Sequence, residues 1–267
     1  MDALLPAEMA EKAEQIGVRK AQMPPLRTFV LAVLAGSFIA LGGVFSTTVT
    51  AGSGALPYGI VRLLAGVVFS LGLILVVVGG AELFTGNNLI VMAWASRRVS
   101  TGQLLTNWAV VYLGNFVGAV ATAGMMFLTG QYAFGRGAVG IAALGVAETK
   151  LTYGSLQAVS LGVMCNALVC LAVWLSYSAR STTDRILAIV PPIAAFVGAG
   201  FEHSVANMYF IPLALFIKAW APPAFWAQTG RGPDDYAGLT PAGFVSNGGV
   251  YWFVYLRGRA ESRPGAP

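Results

Sequence analysis

Charge is scarce in this chain. Only 10% of its 267 residues are charged, against about 25% in an ordinary soluble domain. Histidine occurs once, as His203, and cysteine twice, as Cys165 and Cys170. The two cysteines stand on one apolar stretch, badly spaced for a bridge within a helix, and read as small packing residues. So thin a set holds no metal-ligand pattern and no nucleophile–base pair. A membrane-embedded enzyme is therefore disfavoured, and neither metal nor cofactor is expected. The first 27 residues also lack the basic-then-apolar order of a cleaved signal peptide.

Apolar residues are what the chain has in excess. They make up 57% of it, with 33 glycines beside them, and the mean hydropathy is +0.72. One soluble core cannot hide that much apolar surface, so the solvent of this protein is lipid. Abundant glycine suits close helix packing in a bilayer. The formal charge of +5 does not point to nucleic acid. The basic residues cluster at the ends of apolar segments, where headgroups and topology account for them.

Segments of spanning length run roughly over 28–50, 60–94, 107–129, 154–177, 186–220 and 239–256. A straight span needs about 20 residues. The second and fifth are too long for one, and each contains glycines, Gly79-Gly80 and Gly198-Ala-Gly200, that free the backbone to turn. Pro191-Pro192 and Pro212 add irregularity to the fifth. The expected fold is an all-α membrane protein with six transmembrane helices in two inverted three-helix repeats, the second and fifth helices broken. Repeat one covers 28–129 and repeat two 154–257. A polar segment, 1–27, lies at the membrane surface, and 258–267 form a tail. The stretch 130–154 is either an extracellular connection or partly re-entrant, and 221–238 reads as an external loop. Lys12, Arg19, Lys20, Arg27, Arg97, Arg98, Arg180, Arg185 and the arginines at 257, 259 and 263 fall on one side of this topology. That bias places both termini in the cytoplasm, and the expected location is the cell (inner) membrane.

The two interruptions look alike. Ala81-Glu-Leu-Phe-Thr-Gly-Asn87 and Phe201-Glu-His-Ser-Val-Ala-Asn207 each carry a Glu followed five positions later by an Asn, 120 residues apart. Paired interruptions of this kind mark a transport site near the bilayer midplane. A charge at the centre of a span costs about 2.5–3.5 kcal/mol even on the milder insertion scale, so Glu82 and Glu202 need partners. Either they accept the N–H groups freed at the breaks, supporting them with Asn87 and Asn207, or they exchange protons; capping is the favoured reading. His203 can hold or release a proton at modest cost, and its place inside a break gives it a role on the path, either supplying or relaying a proton that neutralises the substrate or only donating a hydrogen bond to an anion that stays charged. Thr85, Asn166 and Asn247 either line that path or join helices. Lys150 reads as a rim charge that attracts anions. Gly114 and Gly118 form a packing pair.

Taken with Tyr112-Leu-Gly-Asn-Phe-Val-Gly118 and Cys165-Asn-Ala-Leu-Val-Cys-Leu-Ala-Val-Trp174, these motifs resemble the signatures of the formate/nitrite transporter family, in order, over about residues 25–258. The resemblance implies an aquaporin-like six-span protomer assembled as a homo-pentamer, each protomer with its own pore for a small monovalent weak-acid anion. It places the central histidine on His203 and the acid before it on Glu202. The broken-helix threonine falls on Thr85, the pore asparagine on Asn166 and a basic residue on Lys150. Hydrophobic constrictions fall on Phe69, Leu73, Leu83 and Phe196. The last span departs from the family pattern ahead of Asn247-Gly-Gly249. Formate is preferred as substrate because Thr85-Gly86-Asn87-Asn88 is nearer the formate-type members, with nitrite and hydrosulfide as alternatives and protons as co-participants. A water or glycerol channel is disfavoured by the absence of paired Asn-Pro-Ala boxes.

Overall fold

The computed structural model describes residues 4–248, the side chains of 246–248 excepted. The greater part of the last expected span, the tail 258–267 and the side chain of Asn247 therefore lie outside the described residues. Helices account for all the regular structure among the rest.

A short helix, α1 (Pro6–Ala21), precedes the first long one, α2 (Pro25–Thr50). Next come α3 (Tyr58–Gly79), two short pieces α4 (Phe84–Asn87) and α5 (Ile90–Ala95), and α6 (Thr101–Leu128). The second half runs α7 (Ala138–Thr152), α8 (Ser155–Ser178), α9 (Thr182–Ala199), α10 (Ser204–Trp220), α11 (Pro223–Thr229) and α12 (Pro241–Gly248). Five helices, α2, α3, α6, α8 and α9, are long and apolar enough to cross a membrane. This is a multi-pass membrane protein.

Glycine sets how closely these helices approach. A Cβ on Gly118 of α6 would sit 1.9 Å from the Val33 carbonyl oxygen of α2. One on Gly36 of α2 would sit 2.1 Å from the Asn115 carbonyl oxygen in return. Gly66 of α3 is notched in the same way against Ala194 of α9, at 2.6 Å. In lipid there is no hydrophobic drive between helices, so such backbone approach supplies much of the association. Gly114 meets the Ala32 methyl group, at 2.5 Å, so the Gly114/Gly118 pair is indeed a packing surface.

The second and fifth segments are broken where the glycines predict. α3 ends on Gly80 (φ 75°) and α9 on Gly200 (φ 80°), both in the left-handed region that favours glycine. The hydrogen bonds at the two breaks repeat. Ala81 N–H donates to Val76 O as Phe201 N–H donates to Phe196 O, and Glu82 N–H donates to Leu31 O as Glu202 N–H donates to Leu161 O. The prolines do not add a break: α9 runs through Pro191-Pro192 and α10 through Pro212. α10 is buried on all sides from Val205 to Ala214, the burial expected of a helix at the centre of a bundle.

The stretch 130–154 is mainly helix rather than connection. Ala143, Leu144 and Ala147 of α7 are fully buried, and its C-terminal turn carries Lys150. α1 holds the corresponding place in the first half. It buries Met9, Ala13 and Gly17, and the Lys12 ammonium ties it to the end of α8 through Tyr177 O at 2.7 Å.

Candidate functional site

The carboxylates at the breaks are satisfied by side chains, which corrects the expectation that freed backbone N–H groups would hold them. Glu82 accepts from Lys20 Nζ at 2.8 Å and from Asn87 Nδ2 at 2.7 Å. Glu202 accepts from Lys150 Nζ at 2.9 and 3.0 Å and from Asn207 Nδ2 at 2.9 Å. The ammonium wins for a physical reason: a buried carboxylate gains more from a full opposite charge than from a partial one. Lys150 is consequently no free rim charge. Its side chain is 12% exposed, its charge is matched by Glu202, and it lies over the Phe210 ring at 5.6 Å. Lys20 also donates to Asn87 Oδ1 at 2.9 Å, and Asn87 reaches Asn107 at 2.9 Å.

Other groups cap the breaks. Asn115 of α6 accepts the Phe84 N–H through Oδ1 at 2.9 Å and donates from Nδ2 to Ala32 O and Glu82 O at 2.8 and 2.9 Å. This one side chain fastens the first break to α2. At the second, His203 is the N-cap of α10, and its Nδ1 accepts the Ala206 N–H at 3.1 Å. The acceptor role fixes the neutral tautomer, leaving the ring proton on Nε2. Nε2 lies 3.2 Å from Thr85 Oγ1. His203 therefore donates to Thr85, and the Thr85 hydroxyl proton is left for another acceptor. Cys170 supports the same turn, its thiol donating to Thr85 O at 3.5 Å.

Two cavities hold the apolar residues, and the larger reaches His203. The larger, about 470 Å³, is lined by Phe69, Phe196, Lys150, Glu202 and His203. The smaller, about 220 Å³, is lined by Leu73, Leu83, Lys20, Glu82 and Asn87. The four apolar residues thus divide two and two between them. All four are at most 4% exposed. Phe69 meets Phe196 edge-on at 5.8 Å, and Phe196 stacks on the His203 ring at 5.8 Å. Asn166 joins neither wall. It lines a third cavity, about 320 Å³, with Thr85, Asn88 and His203, and its Nδ2 donates weakly to Cys170 Sγ at 3.8 Å. Among the described residues, no group of His, Cys, Asp or Glu could hold a metal ion.

Sequence reasoning missed Lys20, Asn107 and Asn115. A signal for Lys20 was present: it precedes Lys150 by 130 positions, the same offset that relates Leu31 to Leu161.

Two buried acid–lysine–asparagine sets, apolar walls and one Thr–His contact between broken helices are the parts of a membrane transport protein of the broken-helix class. The family model described as formate/nitrite transporter matches residues 7–247. The formate channel FocA of Escherichia coli strain K12 is 45% identical, over 96% of this chain and 96% of its own length. FocA of Haemophilus influenzae is 41% identical, over 91% of this chain and 86% of its own. A solved pentameric formate channel with formate bound superposes with a TM-score of 0.81 at 44% identity, covering 87% of this chain and 98% of that one. A second structure, an FNT family ion channel, gives 0.69 at 29% identity, with 93% and 99% covered. The chain belongs to the formate/nitrite transporter family.

Proposed function

We propose that this protein is a channel for a small monovalent weak-acid anion, formate first, and that the substrate crosses the apolar walls in neutralised form past Thr85 and His203. The observation that carries the reading is the Thr85–His203 contact, with Phe69 and Phe196 beside His203 in the larger cavity and Leu73 and Leu83 in the wall of the smaller one. Moving a bare carboxylate into a low-dielectric interior costs tens of kcal/mol in the idealised limit. Protonating it is far cheaper: from a carboxyl value near 3.9 to pH 7 is about 3 units, or about 4 kcal/mol. Neutralisation therefore wins.

The arrangement of His203 bears on where that proton comes from. Its Nδ1 is committed to the Ala206 N–H, and surrendering the Nε2 proton would leave an imidazolate. His203 is accordingly the donor that orients Thr85, and the Thr85 hydroxyl is the group that meets the substrate. The proton enters with the substrate from the cavity water. Nitrite and hydrosulfide obey the same logic and are the alternatives. The pentameric formate channel that superposes on the chain supports a homo-pentamer, the placement of Lys and Arg supports cytoplasmic termini, and the protein is read as one of the inner membrane.

Flux into proteoliposomes, measured with formate, nitrite, hydrosulfide and glycerol between pH 5 and 8, tests this. Formate flux should exceed that of glycerol and rise as pH falls, following the concentration of the neutral acid. Formate flux that is flat in pH and set by membrane voltage alone would overturn neutralisation. Glycerol passing as readily as formate would overturn the anion reading.

A further inference from the structure

Arg62 of α3 lines the larger cavity and bonds to the carbonyl end of α9. Its Nη2 donates to Val197 O, and its Nε donates to Gly198 O at 3.4 Å. Those carbonyls belong to the last turn before the second break, close to Phe196 and His203. A helix C-terminus carries roughly half a negative charge and would repel an anion approaching the histidine. The guanidinium covers it.

The other cation of this cavity contributes little net field, because Lys150 lies against both oxygens of Glu202. No carboxylate of the described residues lies within ion-pair distance of Arg62. Among the described residues that line this cavity, Arg62 is therefore the cation without a carboxylate partner. Its geometry suits a carboxylate. Of five N–H groups, two are engaged by the carbonyls, which hold the plane of the fork in place. The N–H groups of Nη1 and the second hydrogen of Nη2 remain as an edge that matches two carboxylate oxygens. Ser53, Tyr58 and Tyr153 line the same cavity.

We propose that Arg62 forms an anion-binding subsite in the larger cavity, where a small monocarboxylate is held before it passes Phe196. The proposal rests on the reading of the protein as an anion channel and adds a residue that captures the ion while still charged. In the smaller cavity Lys20 lines the wall bonded to Glu82 and Asn87. Capture at an unpaired cation is accordingly a property of the larger cavity.

The test uses the full-length protein with Arg62→Gln, which can still donate to Val197 O, and Arg62→Lys, which keeps the charge. In proteoliposomes, R62Q should raise the half-saturating formate concentration about tenfold, the effect of losing one charge-assisted contact, with the maximal rate within twofold of wild type. R62K should recover much of the loss, and added salt should narrow the difference between R62Q and wild type. An unchanged half-saturation in R62Q overturns the proposal. So does an equal fall of maximal rate in both variants with half-saturation unmoved, which would mark Arg62 as a helix cap only. A separate readout is the broadening of carbon-13-labelled formate by purified protein. If wild type passes no formate, the functional reading falls, and this titration alone decides the subsite: weaker broadening by R62Q supports it and equal broadening overturns it.

Discussion

Thr85 and His203 lie 118 positions apart in the chain, yet Thr85 Oγ1 stands 3.2 Å from His203 Nε2. Each sits just past a left-handed glycine, on opposite breaks, so the contact exists only if both breaks form and meet. It also assigns roles: the histidine is donor and helix cap together, and the threonine presents a hydroxyl proton.

His203→Asn separates those two functions. The Asn amide oxygen can still cap α10, while the donor toward Thr85 is lost. We expect H203N to keep its thermal stability and lose most formate flux, and His203→Phe to lose about 1 kcal/mol of stability as well, the usual worth of an N-cap. Thermal unfolding of the purified variants alongside flux assays checks both. Normal flux and normal pH dependence in H203N would remove His203 from the path.

Thr85→Val preserves shape and deletes the hydroxyl. Formate flux should drop at least tenfold, in line with a lost hydrogen bond of about 1.5 kcal/mol to a charged or polar group, whereas Thr85→Ser should stay near wild type. If the valine variant conducts normally, the substrate is contacted elsewhere.

Removing either lysine leaves a buried carboxylate without its counter-charge, a change of about 3–5 kcal/mol for fully buried pairs. Lys150→Met should be the more severe of the two, because its side chain is 12% exposed against 24% for Lys20. Adding Glu202→Gln to Lys150→Met should restore part of the loss. Yield and melting temperature of the three variants report the order, and equal melting of the two single variants would contradict it.

Gly118→Ala puts a methyl group 1.9 Å from the Val33 carbonyl oxygen, backbone that cannot step aside. Assembly of α2 against α6 should fail, with little folded protein recovered from membranes. Gly145→Ala meets no atom within 4 Å and should be recovered at wild-type yield, and a similar yield for both variants would show that the glycine notch is not what joins these helices.

Much of the architecture is legible in the sequence. The length of the second and fifth apolar segments, read against the thickness of a bilayer, required breaks, and the glycines located them at Gly80 and Gly200. The rarity of charge singled out Glu82, Glu202 and His203. The stretch 130–154 was less legible because a Gly/Ala-rich helix such as α7 shows little contrast between its faces. Lys20 read as one of the basic residues that set the topology, since nothing local ties it to a carboxylate 62 positions away.

Sequence alone thus determined the lipid solvent, the first five apolar segments and the sites of interruption, because these follow from composition, segment length and backbone freedom, which are properties of neighbouring residues. Only the tertiary structure decided which lysine neutralises which glutamate, that Asn115 rather than a carboxylate caps the first break, which His203 nitrogen carries the proton, and that Arg62 covers the end of α9. Those are matters of distance between residues remote in the chain, and hydrogen bonds and buried charges are settled within about 3 Å, a scale that composition and periodicity do not encode.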